Sequence, residues 1–283
     1  MTDSPSAALI LGGSGRTGSL VAAHLSDHGF RARTASRHGS DQFFDWDDPT
    51  TYSDALAQTD RVYLVPPVMR VRYADRIAAF LDQAEEAAVC HVTLLSTYNG
   101  DQAPPAIDIS TVEADLATRQ AFTHSILRPA WVMQNFVDDH LPIINGTLAV
   151  PSNGGAEAFV DAADIAAVAA ATLLHLDEHV DATYALTGPE AMTFDHVAAT
   201  ISALSGRPVT YQDIDQQTWI DAAITAGVPS DYAPMLKWLS GAIISGQGST
   251  PTADIETVLG RPPTSFQTFA EQNAAVWTNK EQQ

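Results

Sequence analysis

The stretch Ala-Ala-Leu-Ile-Leu-Gly-Gly-Ser-Gly-Arg-Thr-Gly at residues 7–18 constrains this chain more than any other. A short apolar run stops at glycine, and Gly12, Gly15 and Gly18, at spacing GxxGxxG, lead into a segment whose apolar residues recur with helical periodicity. Gly12 permits a tight turn, Gly15 lets backbone approach a phosphate, and Gly18 lets the helix start pack closely. N–H groups at that helix start face an anion. Strand, glycine loop and helix in this order predict a dinucleotide cradle made of Gly12, Gly13, Ser14, Gly15, Arg16, Thr17 and Gly18.

The same alternation continues. Phe30–Ala35, Arg61–Val65, His91–Ser96 and Phe122–Leu127 read as strands, and 70–88 and 108–120 as helices, the latter with Ser110 or Thr111 as cap. Strands alternating with helices pair in parallel, so the expected architecture is a Rossmann-type, doubly wound α/β sheet. Beyond residue 130 the pattern changes. Trp131–His140 reads as a helix leaving the sheet, Ala162–Leu176 as an alanine-rich helix, and the remainder as mostly helical. The expected organisation is a nucleotide domain over 1–150, supplemented by about 157–190, and a smaller substrate lobe over 190–283.

Charge narrows the partners. Acidic residues number 34 against 14 basic ones, a formal net charge of −20, which repels nucleic-acid backbones. Ten of the basic residues fall within 1–128, where they promise a locally basic edge for an anionic cofactor. The single cysteine, Cys90, reads as a buried structural thiol and gives no disulfide. The N-terminal apolar run is too short for a signal peptide, and no run reaches the roughly 18 residues of a membrane span. A cytoplasmic monomer or homodimer acting on a small apolar molecule is expected.

The end of the second strand selects the dinucleotide. A carboxylate there would bind the ribose 2′-OH of NAD, but Ser36 and Arg37 stand there, with no acid before Asp41. Arg37 offers a planar fork to a 2′-phosphate, with Arg16 nearby, so NADP(H) is expected over NAD(H). Ligands of such sheets sit beyond the strands' carboxyl ends. By that rule Asp45 and Trp46 flank the adenine. Val65, Pro66 and Pro67, the run Ser96-Thr97-Tyr98, and Pro129 through Trp131 line the nicotinamide and substrate.

These residues, with the segments ASR, FDWDDP, ILRPAWVMQNF, FVDAADIAAVAAATLL and LGRPPTSFQTFAEQNAAVW, resemble the NmrA-like group of atypical short-chain dehydrogenases/reductases over nearly the whole chain. The stretch from ASR through FDWDDPTTY to RVYLVPP is most similar to the branch of ergot-alkaloid (festuclavine and agroclavine) dehydrogenases and bacterial relatives. The resemblance implies NADP binding and, depending on the branch, quinone or imine reduction or redox sensing without turnover.

Short-chain dehydrogenases usually carry a Tyr with a Lys four residues on. Here the seven tyrosines are followed at that spacing by Leu56, Pro67, Ile77, Gln102, Gly188, Asp215 and Leu236, and the only lysines are Lys237 and Lys280. Ordinary ketone chemistry therefore lacks its proton donor. Three outcomes stay open. The acceptor, a quinone or an imine or iminium compound, needs little acid help. An improvised set of Tyr98, Ser96, Glu113 and Asn135 supplies it, with Glu113 on the helix where the family's active site runs. Or the chain binds NADP(H) as a sensor, or performs non-redox tailoring. His24/His28 and His175/His179 have i, i+4 spacing, but the first pair reads as packing and surface residues of the first helix and the second as helix-end residues favoured by the dipole rather than metal ligands. No G-x-S-x-G elbow supports a serine hydrolase. Trp219, Tyr232, Met235, Trp238 and Phe266 suit either a core or the wall of an apolar pocket.

Overall fold

The computed structural model describes residues 6–138 and 140–279, and divides into two compact units. Lys280 and the first five residues lie outside the described part. One unit takes the chain to Val68, with Arg72–Arg128 and Ala163–Ala185. The other takes Met69–Val71, Pro129–Ala162 and the chain from Leu186.

In chain order the elements are β1 (Ala7–Leu11), α1 (Gly18–Asp27), β2 (Arg31–Ser36), β3 (Gln42–Phe43), α2 (Tyr52–Leu56), β4 (Arg61–Leu64), α3 (Ala74–Glu86), β5 (His91–Leu95), α4 (Ile109–Thr118) and β6 (Thr123–Pro129). After these come β7 (Ile143–Ile144), β8 (Thr147–Val150), β9 (Ala156–Glu157), α5 (Ala162–Leu174), β10 (Ala182–Leu186), β11 (Met192–Thr193), α6 (Phe194–Ser205) and β12 (Thr210–Asp213). The helices α7 (Gln216–Thr225), α8 (Ala233–Ile244), α9 (Asp254–Leu259) and α10 (Phe266–Asn279) close the chain.

The first unit is built on a seven-stranded sheet in the order β10-β6-β5-β4-β1-β2-β3, and the pairings from β3 through β6 are all parallel. The expected doubly wound α/β class is therefore what the chain forms. Every residue of β1 is fully buried, as a central strand covered on both faces must be, which is why it is uniformly apolar rather than alternating. Chain order reverses between β1 and β4, so the loops after these strands diverge and leave a crevice at the switch point. Gly12 and Val65 face each other there: a Cβ on Gly12 would lie 3.6 Å from the Cβ of Val65. The start of α3 is pinned from the loop before α4. Asp108 accepts from the Tyr73 N–H (2.5 Å) and Ala74 N–H (2.9 Å) and pairs with Arg72 at 2.8 Å. Thus Asp108, rather than Ser110 or Thr111, stands at the start of α4, and its carboxylate caps the neighbouring helix instead of its own.

The second unit carries a three-stranded sheet, β12-β8-β7, and a two-stranded antiparallel pair, β11-β9. Its core is aromatic: Phe136, Phe159, Phe194, Phe266, Phe269 and Trp277 are buried together, and the Trp277 indole N–H donates to the Phe136 carbonyl at 2.8 Å. Phe266 is thereby a core residue. The helix expected over Trp131–His140 is only a 3₁₀ turn, Met133–Phe136. Met133 and Phe136 are buried there in the aromatic core, with Trp131 and Val137 packed partly buried against it, while Gln134 Nε2 donates to Asp161 and its Oε1 accepts from the Ala162 N–H. Tertiary packing overrode a local helical pattern.

Cys90 is exposed, not buried. The apolar signal around it came from Val89, Val92 and Leu94. Partial burial of its sulfur and the charge of Asp60 push the thiol up, so it stays protonated. No helix among the described residues is long and apolar enough to cross a membrane.

Candidate nucleotide and substrate site

The glycine loop leaves β1 with Gly12 at φ +65°, a conformation glycine adopts without penalty. Gly13 and Gly18 have no room for a Cβ: at Gly13 it would strike the Thr34 side chain on β2, and at Gly18 the Gly12 carbonyl. At Gly15 it would stand 3.0 Å from the same carbonyl, which the Gly15 N–H already engages at 2.8 Å. The loop is therefore wound on itself and pressed against β2. From β4, the buried Tyr63 hydroxyl donates to Thr17 Oγ1 at 3.1 Å, and burial raises that phenol far above its ordinary range. Thr17 makes no capping bond to α1, so the helix start is left uncapped by side chains.

At the end of β2, Ser36 lies against the loop, its Oγ 3.1 Å from Ser14 Oγ and 2.8 Å from Ser40 Oγ. Arg37 follows, exposed. Asp41, the first acid after the strand, turns back: its carboxylate accepts from the Thr34 N–H (3.0 Å) and Thr34 hydroxyl (2.9 Å), and these bonds hold its carboxyl below the usual range. Asp45 organises the next turn, accepting from the Asp47 N–H at 3.0 Å. Trp46 packs edge-on against Phe44, Tyr52 and Phe80 with centroids 4.9–5.9 Å apart.

Beyond β5, the candidate acid Glu113 on α4 is 3% exposed. Ser96 donates its hydroxyl proton to Glu113 Oε1, and Arg128 at the end of β6 grips the same carboxylate with Nε at 3.2 Å and Nη2 at 2.5 Å. Asp101 pairs with Arg128 at 3.1 Å. Gly100 makes the cluster possible, since a Cβ there would stand 2.5 Å from Ser96 Oγ and 2.6 Å from Glu113 Oε1. In the sequence Arg128 reads as a basic residue of the cofactor half that closes a strand together with Pro129. The available signal was its place one residue before the Pro that closes β6. Tyr98 is half-buried two residues past Ser96.

The basic edge is smaller than counting predicted. Arg61, Arg72, Arg76, Arg119 and Arg128 are all engaged in ion pairs with this unit's own acids. Pro129, Trp131 and Asn135 fall in the second unit. There the Asn135 carbonyl accepts from the Leu141 N–H at 2.9 Å, and the Trp131 ring lies 6.5 Å from that of Trp219. Among the described residues no group of three or more His, Cys, Asp or Glu is placed to hold a metal. His179 Nδ1 meets the Tyr184 hydroxyl at 2.7 Å, and His28 Nδ1 the His24 carbonyl at 2.8 Å.

Together these features define a doubly wound nucleotide fold whose glycine loop opens at the switch point. The comparisons carry this further. The chain is 31% identical to the uncharacterized oxidoreductase YesF of Bacillus subtilis over 284 residues, 96% of each chain. It is 28% identical to an agroclavine dehydrogenase of Claviceps fusiformis over 95% of this chain and 98% of that one. Among solved structures, an Escherichia coli NADPH-dependent quinone oxidoreductase complexed with NADPH superposes with TM-score 0.79 at 21% identity, covering 94% of this chain and 99% of that one. A Citrobacter triphenylmethane reductase with NADP(H) does so at 0.73 and 22%, covering 95% and 99%. No protein-family model matches the sequence. The chain belongs to the NmrA-like atypical short-chain dehydrogenases/reductases and is an oxidoreductase of the nicotinamide-dinucleotide kind.

Proposed function

We propose that the protein is an NADPH-dependent reductase that passes hydride to a small, electron-poor organic acceptor, a cyclic iminium first and a quinone second. The observation that carries this reading is the engagement of Ser96. Its proton points into Glu113, whose charge Arg128 balances, so towards a ligand Ser96 presents lone pairs only. It accepts a hydrogen bond, for example from a carboxamide NH₂, and gives no proton to a carbonyl. With no Tyr and Lys at the usual spacing, a ketone lacks its acid.

The loop Gly12–Gly18 fits a pyrophosphate, because its Gly13 and Gly18 positions exclude a side chain and α1 starts uncapped. The exposed Arg37 holds a 2′-phosphate beside Ser36, whose own proton goes to the His38 carbonyl at 2.5 Å, while Asp41 is bound to Thr34 and unavailable to a ribose 2′-OH. Val65 to Pro67, Ser96 and Tyr98 border the nicotinamide from the first unit. Pro129, Trp131 and Asn135 belong to the second unit, which we assign as the substrate lobe. When bound, NADPH supplies the hydride. A cationic C=N carbon takes it without a proton, and a quinone oxygen takes its proton from solvent. The protein's contribution is position and exclusion of water.

Oxidation of NADPH followed with N-methyl-3,4-dihydroisoquinolinium, menadione and acetophenone tests the reading. Turnover of the iminium and quinone but not the ketone is expected. Equal or better turnover of the ketone would sink it, as would tight NADPH binding with no turnover, which belongs to a sensor.

A further inference from the structure

Glu157, on β9 of the second unit, is the least explained acid in the chain. It is 2% exposed, and no cation pairs with it among the described residues. Oε1 receives one long bond, from the Trp131 N–H at 3.4 Å, and the buried Oε2 has no partner. A buried carboxyl in this condition is costly unless something completes it. Gly248 stands against it without room for a Cβ, and its carbonyl accepts from the Ala158 N–H at 2.9 Å. The cover is a glycine turn, with Gly246 at φ +72° and the Ser249 hydroxyl closing it on the Gly246 carbonyl at 2.6 Å.

We propose that Glu157, with the indole rings of Trp131 and Trp219, forms a subsite for an organic cation, the ammonium or iminium nitrogen of the ligand. Three properties fit that chemistry. The unpartnered oxygen is an acceptor awaiting a positive donor. Trp131, whose backbone holds the other oxygen, has its ring 6.5 Å from Trp219, both partly buried, and indole faces attract cations. The net charge of −20 favours approach of a cation and disfavours an anion. Burial without a counter-charge pushes the carboxyl up to about 7, and a cation bound beside it would draw that value back down, favouring the ionised form. Entry of the ligand displaces the Gly246–Ser249 turn and exposes Oε2. This deepens the reductase reading, on which only its link to turnover rests.

The test is equilibrium binding to the full chain at pH 8 without NADPH, followed by tryptophan fluorescence. The probes are N-methylisoquinolinium and the neutral ring isoquinoline. Wild type is expected to bind the cation at least tenfold more tightly than the neutral ring. Glu157→Gln, with unchanged circular dichroism, is expected to bring that ratio within about twofold. Gly248→Ala, which drives a methyl group into the carboxyl, is expected to lower it too. An absent preference in wild type, or an intact one in Glu157→Gln, overturns the proposal. Cation preference without reduction of any acceptor would leave the subsite standing and remove the reductase reading. Reduction of acceptors without cation preference would do the reverse.

Discussion

Replacing Glu157 by Gln has a stability consequence that follows from its burial. The side chain titrates near 4.5 when free in water and is pushed up to about 7 in the fold, desolvation outweighing the Trp131 N–H. Below pH 4.5 both folded and unfolded chains hold the proton, and the group makes no difference. Between 4.5 and 7 the unfolded chain releases it while the fold keeps it, so stability falls as pH rises. Above 7 both states are ionised and the loss is constant. Each pKa unit is about 1.4 kcal/mol, so the loss amounts to about 3 kcal/mol. The amide introduced by Glu157→Gln cannot ionise. The variant should therefore match wild type to within a constant at pH 4 and gain about 3 kcal/mol on it by pH 8. Urea unfolding followed by tryptophan fluorescence reads this well, since Trp131, Trp219, Trp238 and Trp277 all belong to the second unit. Taking the difference between the two proteins cancels the other titrating groups. A stability difference independent of pH from 4 to 8 would refute the reasoning, and with it the claim that this carboxyl is buried without a partner.

Other expectations follow from the same geometry. Arg37→Asp should weaken NADPH binding by about 10- to 100-fold while NADH changes little, because a charge-assisted fork to phosphate is lost; titration by nucleotide fluorescence decides it, and equal loss of both cofactors would count against the assignment. Gly18→Ala should abolish binding of either dinucleotide, since its Cβ would strike the Gly12 carbonyl, and calorimetry on the folded variant checks this. Glu113→Ala leaves Arg128 without its buried partner and should cost about 3 kcal/mol in denaturant unfolding, more than Asp101→Ala, whose carboxylate is half-exposed. His91 is fully buried, and burial with neighbouring positive charge lowers its pKa from 6.5 to about 4. Its contribution is present above 6.5 and drains away as pH falls towards 4, so His91→Gln should flatten the acid limb of the stability curve.

The fold was largely readable because its signals are local. The run Ala7–Leu11 is apolar throughout, which only a strand covered on both faces requires, and the glycines after it admit few conformations. The segment 131–140 misled because its apolar residues have helical spacing, yet the side chains buried there go to an aromatic core assembled from residues as distant as Trp277. Position alone puts Ser96 just past β5 and Arg37 just past β2, and that much of the candidate site follows from the rule about strand ends. The site was not readable where partners decide. Nothing near Glu113 in sequence says that Arg128 reaches it, or that Gly100 is glycine to admit the pair. Counting arginines overstated the basic edge for the same reason, since Arg119 alone engages Asp82, Glu85 and Asp115. Glu157 carries no local signal at all: one acid among 34, distinguished only by what surrounds it.

The central claim is that this fold delivers hydride to an acceptor that needs no proton from the protein. Single-turnover reaction of the enzyme with NADPH deuterated at C4 and N-methyl-3,4-dihydroisoquinolinium, with the product read by mass spectrometry, tests it most directly. One deuterium on the former iminium carbon, at a rate independent of pH between 6 and 8 once both ligands are saturating, is the predicted result. Bound NADPH with no deuterium in the product would contradict it.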